Sequence, residues 1–307
     1  MKKPRAATPS ARPRASTGAR VPAARAPAKA RAPVVSKAAP GSAQRATSKA
    51  APVALVTGAS QRIGREIALA LARAGYDVVV HFAASRSGAQ ETVAKIHALG
   101  RRAVAIGCNL ADDPAVRALL GQCAAELGEV TCIVNNASLF ESDSAADFQS
   151  ARLARHMRVN VAAPIVLARE LHQRLPDLDP PAPQGVVINL LDQKLWNPNP
   201  DFLSYTLSKA SLKSATELLA RALAPKLRVV GVAPGITLPA AGQSPENFAR
   251  ASRLTPLGRS STPADVAAAV VFVAGAGAIT GTTLLVDGGQ HLIPTERDVM
   301  FLQEAQR

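Results

Sequence analysis

PVALVTGASQRIGREIALALARAGYDVVVHF, residues 52–82, decides the architecture. An apolar run (52–57) enters a short glycine-bearing turn, TGASQRIG (57–64), and apolar residues then recur at helical spacing from about Arg62 to Arg73. A second apolar run, DVVVHF, follows at 77–82. Strand, turn, helix and strand within about 30 residues make a βαβ unit, which brings its two strands parallel through a right-handed crossover.

The same alternation runs on down the chain. Apolar runs recur at RAVAIG (102–107), TCIVNN (131–136), GVVINLL (185–191), LRVVGVAP (227–234) and TLLVDGG (283–289). Helical patterns separate nearly all of them: up to Leu99, to about Leu127, to near Leu175, from about Ser204 to Ala224, and near 263–274. Near-continuous apolar strands belong to a parallel sheet covered on both faces. The expected fold is α/β: a single Rossmann domain over 52–307, with a seven-stranded doubly wound parallel sheet and helices on both faces.

A glycine turn that opens a helix aims backbone N–H groups and the positive helix end at one point, which suits a phosphate. Gly58 permits the turn and Gly64 lets the helix pack closely. An NAD site carries an acid at the end of the second strand for the ribose 2′-OH. Here that region reads HFAASRSG, with His81, Ser85 and Arg86 and no carboxylate. The first turn also holds Arg62 where another glycine is expected. These features favour a 2′-phosphate and hence NADPH, although Arg86 also fits as the solvent-facing start of the next helix.

Charge is concentrated at one end. Residues 1–50 hold twelve Lys/Arg and no Asp or Glu, so they supply +12 of the net +14 and leave the remainder at +2. Ala, Pro, Arg, Lys and Ser cannot bury enough apolar surface to offset ordering entropy, so residues 1–51 read as a disordered basic tail. Such a tail could hold nucleic acid by counterion release, or have no partner. It has no apolar core of a secretory signal, and its prolines count against a transit-peptide helix. Cys108, Cys123 and Cys132 lack disulfide or metal spacing and read as buried thiols, with no metal site implied. No apolar run reaches the length of a membrane span, and a cytoplasmic, reducing location is expected.

One further stretch, LLDQKLWNPNPDFLSYTLSK (190–209), ends a strand on Asp192 and starts a helix with Tyr205 and Lys209 four residues apart, on one helix face. A nearby ammonium is expected to stabilise phenolate and lower the tyrosine pKa towards working pH.

TGASQRIG, NNAS (135–138), RVN (158–160), YTLSK (205–209), APG (233–235) and PLGRSSTPADVA with ITGTTLLVDGG (256–289) together resemble the short-chain dehydrogenase/reductase superfamily. Asp192 stands where most members have serine. With Arg62, Phe140 after NNAS, and His81 and Ser85 as HxxxS, it makes the chain similar to the pteridine reductase branch. The resemblance implies a homotetramer and catalysis by Asp192, Tyr205 and Lys209, with Asn160 positioning Lys209 through a water. It also implies NADPH binding by Gly58, Ser60, Arg62, Ile63 and Gly64 in the first turn, and by His81, Ser85 and Arg86 after the second strand. Further cofactor contacts fall on Asn109, Leu110, Asn136, Ala137, Ser138, Tyr205, Lys209, Pro234 and Gly235. Asn109 replaces the family's usual aspartate beside the adenine. Substrate would meet Arg62, Ser138, Phe140, Asp192, Tyr205 and Trp196, with Phe140 stacked on the pterin.

Alternatives remain open at this level. Asp192 could cap a turn, and Trp196, Asn197 and Asn199 could line the pocket or only form turns. Region 236–252 should close over substrate but matches nothing residue by residue. The chain could reduce a dihydropterin or a simple carbonyl, or be a non-catalytic NADP-binding or nucleic-acid-associated protein working through its tail.

Overall fold

The computed structural model describes residues 51–239 and 242–301. The basic tail expected at 1–51, and any nucleic-acid contact it makes, lies outside the described residues except for Ala51.

Seven strands form one sheet: β1 (Val53–Val56), β2 (Asp77–Phe82), β3 (Ala103–Gly107), β4 (Val130–Asn135), β5 (Gly185–Leu190), β6 (Leu227–Pro234) and β7 (Thr283–Val286). Every pairing is parallel and the order is β3-β2-β1-β4-β5-β6-β7. The doubly wound sheet expected from the alternation is therefore the one found.

The helices are α1 (Arg62–Arg73), α2 (Arg86–Ala98), α3 (Asp113–Glu126), α4 (Ser150–Met157), α5 (Ala163–Arg174), α6 (Leu203–Ala222), α7 (Pro245–Arg253) and α8 (Pro263–Gly275). The single long helix expected before Leu175 is α4 and α5 joined through a π-helical turn, Arg158–Ala162.

Alternate strand residues enter different cores, as a pleat requires. Ala54, Val56, Val78, Val80, Ile188, Val230 and Val232 pack with α1 and α8. Val53, Leu55, Val79, Ile133, Val187 and Val229 face α3 and α5 instead. The three cysteines are free and buried, and burial pushes the thiols of Cys123 and Cys132 up to about 12, which keeps them protonated and inert.

The strand order reverses direction between β1 and β4, so the crevice at their carboxyl ends is where an open α/β sheet binds ligands. No helix among the described residues is long and apolar enough to cross a membrane.

Candidate active site

At the carboxyl end of β1 the chain folds tightly over the start of α1. A Cβ on Gly64 would lie 2.3 Å from the Gly58 carbonyl oxygen and 2.5 Å from Asn136 Nδ2, so only glycine fits. Asn136 Nδ2 donates to the Thr57 and Gly58 carbonyls (2.9 and 3.2 Å), and Thr57 Oγ1 accepts from the N–H groups of Asn136 and Ala137. The β4 loop thus braces the glycine turn. Helix α1 starts without a side-chain cap or an acid in its first turn, so its positive end is open to a phosphate. These residues fit a dinucleotide.

Arg62 begins that helix at φ +54, a conformation that favours glycine, and its guanidinium donates to the Pro239 carbonyl at 3.0 Å. The long side chain therefore spans from the cofactor turn to the loop that leads into α7. Ile63 is half-buried beside it, and Ser60 is buried, with its carbonyl accepting from Arg65 at 2.6 Å.

His81 corrects one expectation. Its ring is buried, Nδ1 accepts from the Gly58 N–H at 3.1 Å, and Nε2 lies 2.9 Å from the Cys108 carbonyl. A ring that accepts at one nitrogen and donates at the other is neutral, and burial lowers its pKa further. His81 splints the glycine turn to β3 rather than offering a cation to a phosphate. Ser85 and the exposed Arg86 remain at the end of β2, where Arg86 opens α2. Beyond β3, Asn109 Oδ1 accepts from the Ala111 N–H at 3.0 Å, next to buried Leu110.

Asp192 follows β5, and Tyr205 and Lys209 lie on the first turns of α6. The Tyr205 hydroxyl donates to Asp192 Oδ2 at 2.8 Å, and Asp192 Oδ1 accepts from the Lys194 N–H at 2.8 Å. Lys209 Nζ donates to the Leu190 carbonyl at 2.7 Å and lies 5.8 Å from the Tyr205 ring centre. The three expected catalytic residues are thus one cluster. Burial raises the Asp192 carboxyl above its usual range and brings Lys209 down to about 8. The Tyr205 phenol is held well above its usual value, first by burial and then by the Asp192 charge. The lowering expected from Lys209 is not found, and Tyr205 holds its proton and presents it as a donor.

Asn160, expected to position Lys209 through a water, takes its direct partners elsewhere. It lies in the π-helical turn, where its Nδ2 donates to the Leu139 carbonyl (3.0 Å) and Ser208 Oγ (2.9 Å) and its Oδ1 accepts from the Leu139 N–H (2.8 Å). It clips the Ser138–Phe140 loop to α6 and makes no direct bond to Lys209. Ser138 Oγ, on the exposed part of that loop, donates to the Leu139 carbonyl. Phe140 is half-exposed, edge-on to Tyr205 with ring centres 4.7 Å apart, and stacked on Phe202 at 4.4 Å. Pro234 ends β6 and Gly235 follows it, where the Gly235 Cα packs too closely against Asp287 and Gln290 to carry a Cβ. Trp196 packs under the Lys213 ammonium (5.7 Å), two turns along α6 from Tyr205, and the substrate contact expected of it finds no support in this packing.

The model of the short chain dehydrogenase family matches residues 52–247. The chain belongs to the short-chain dehydrogenase/reductase family. It is accordingly an oxidoreductase of a class that works with a nicotinamide cofactor. FolM alternative dihydrofolate reductase 1 of Brucella canis, complexed with NADP, superposes with a TM-score of 0.75 at 37% identity, covering 81% of this chain and 97% of that one. The protein of the same name from Brucella suis, also with NADP, gives 0.74 at 39% identity over 79% and 96%. Other members of the family point to different substrates. The 3β-hydroxysteroid dehydrogenase 1 of Eggerthella lenta is 34% identical, over 78% of this chain and 94% of its own length.

Several residues of this short-chain reductase site have little signature in the sequence. Asp143 caps α6 from 61 residues away, accepting from the Ser204 N–H at 2.9 Å and from Ser204 Oγ, because Phe202 at the N-cap has no side-chain acceptor. Helix α7 did leave a signal: SPEN places an N-cap serine and an N1 proline, and Ser244 Oγ accepts from the Asn247 N–H at 3.1 Å.

Proposed function

We propose that this short-chain reductase uses NADPH to reduce a dihydropterin-type ring, of the dihydrobiopterin, dihydromonapterin or dihydrofolate kind. The observation that carries the reading is the 2.8 Å bond from Tyr205 to Asp192 beside the exposed ring of Phe140. The FolM structures, named as alternative dihydrofolate reductases and solved with NADP, support it.

Reducing the C=N bond of a dihydropterin places a hydride on carbon and a proton on nitrogen, and the bound nicotinamide supplies the hydride. The glycine turn and α1 would hold its pyrophosphate, Ser85 and Arg86 the 2′-phosphate, and Lys209 the nicotinamide ribose. Tyr205 would donate the proton and regain one from solvent, with Asp192 orienting its hydroxyl. Lys209 remains charged at neutral pH and offsets the negative charge left on the pair. A carboxylate also accepts from the amino and ring N–H groups of a pterin, which a serine at 192 could do only weakly. The half-exposed face of Phe140 suits stacking on a flat heterocycle.

A second reading keeps NADPH but makes the substrate a simple ketone or aldehyde, with Asp192 only binding it. The steroid dehydrogenase and a 3-oxoacyl-acyl-carrier-protein reductase FabG of Staphylococcus aureus, 32% identical over 78% of this chain and 98% of its own, favour it. The joint presence of Asp192 and Phe140 favours the pterin. NADPH oxidation followed with a panel of dihydropterins and ketones separates the two; good turnover of ketones with none of any pterin would overturn the first. Exposed Leu207 and Leu218 on α6, Phe272 on α8, and Leu257 and Leu292 in the segments flanking α8 and β7 suit a homotetramer. Protonated, unbridged thiols suit the cytoplasm.

A further inference from the structure

The C-terminal segment folds back onto the substrate side of the site. Asp201, buried in the loop between Asp192 and α6, accepts from Arg297 Nε at 2.9 and 3.1 Å and from the Asp298 N–H at 2.7 Å. Lys194 is 3% exposed, an unusual place for an ammonium. Its Nζ donates to the Asp201 carbonyl at 2.5 Å, lies 3.4 Å from Asp298 Oδ2, and sits 5.3 Å over the Phe202 ring. The main-chain N–H of this same residue holds Asp192 Oδ1.

An aromatic column runs alongside. Phe301 stacks on Phe202 at 5.7 Å, Phe202 stacks on Phe140 at 4.4 Å, and Phe140 meets the Tyr205 edge at 4.7 Å. Arg297 covers the Phe301 ring at 5.2 Å. Phe202 sits at φ +56, an unfavourable conformation for an aromatic residue that persists only where its surroundings hold it. Two routes therefore lead from the C-terminal segment to the pocket: a polar one through Lys194 to Asp192, and an apolar one through Phe202 to Phe140.

We propose that Arg297–Phe301 is a positioning clasp that sets Asp192 and Phe140 at the spacing a flat heterocycle requires, with Lys194, Asp201 and Phe301 as its working residues. The ring specificity rests on the pterin reading above; the ordering of the 192–202 loop does not. None of the clasp residues touches the glycine turn, so its effect falls on substrate affinity and leaves cofactor affinity alone.

The chain's single tryptophan, Trp196, lies within the clasped loop and reports its order without any substrate. The test compares the full-length wild type with Arg297→Ala, Phe301→Ala and the conservative Phe301→Tyr. In the two alanine variants KM for 7,8-dihydrobiopterin should rise about tenfold while kcat stays within about twofold, because a ground-state positioning contact is lost. NADPH affinity by calorimetry should be unchanged, Trp196 should become more accessible to acrylamide quenching, and Phe301→Tyr should restore both readouts. Unchanged KM and unchanged quenching would overturn the clasp. So would a parallel loss of KM, kcat and NADPH affinity, which marks a merely structural role. If the wild type reduces no dihydropterin but Trp196 quenching still responds, the pterin reading fails and the clasp stands as a loop-ordering element.

Discussion

Tyr205 Oη donates to Asp192 Oδ2 across 2.8 Å, so the helix that carries the phenol and the strand that carries the carboxylate meet at one proton. Burial works against both charged forms; the Asp192 charge raises the phenol further, whereas the hydrogen bond donated by Tyr205 favours the carboxylate and lowers Asp192. In the proposed reaction the phenol's proton is the one that passes to the substrate nitrogen.

The alkaline limb of catalysis should come from Lys209. Burial lowers its pKa to about 8 because the charged form loses its water, so the ammonium is present below that pH and lost above it. In a profile of kcat/KM, which reports the free enzyme, activity should fall about tenfold per pH unit beyond that point. Lys209→Met should lower the plateau and abolish the limb. A wild-type profile that stays flat to about pH 10 would remove Lys209 from the reaction.

Arg62 occupies a backbone conformation meant for glycine, at φ +54. Replacing it by glycine should relieve strain, less the entropy cost of glycine, for a net gain of up to about 1 kcal/mol. For a domain of this size that is a Tm rise of about 2–4 °C. The same variant should bind NADPH several-fold more weakly. A loss of Tm would show that the side chain, with its bond to Pro239, stabilises the fold more than the backbone strain costs.

Arg86 tests the choice of cofactor. It is exposed at the end of β2, with no acid in HFAASRSG to hold a ribose 2′-OH. Arg86→Ala should raise the Kd for NADPH about tenfold, the scale of one charge-assisted hydrogen bond at a surface, and leave NADH unchanged. Calorimetric titration with both nucleotides decides it; equal effects on the two would mean that Arg86 only opens α2.

Much of this geometry was legible before folding, for a physical reason. Parallel strands and their crossover helices are local patterns, so β1 to β7 and the Tyr205–Lys209 spacing can be read directly from the chain. His81 misled because a histidine near a phosphate turn suggests a cation, yet it lies inside a strand buried on both faces and could only be neutral there. The parts that could not be read are contacts across long separations. Asp143 caps α6, Asn160 clips Leu139, and Arg297 reaches Asp201 96 residues away, and no periodicity encodes any of them.

The most direct test of the account is the ratio of kcat/KM for 7,8-dihydrobiopterin to that for a simple ketone, measured with NADPH in the wild type and in Asp192→Ser. Losing the carboxylate that holds Tyr205 and the pterin N–H groups removes charge-assisted hydrogen bonds of about 1.5–3 kcal/mol, so the ratio should fall about 10- to 100-fold while NADPH affinity holds. An unchanged ratio, or equal losses of pterin turnover and cofactor binding, would contradict the assignment of Asp192 to the reduction of a nitrogen heterocycle.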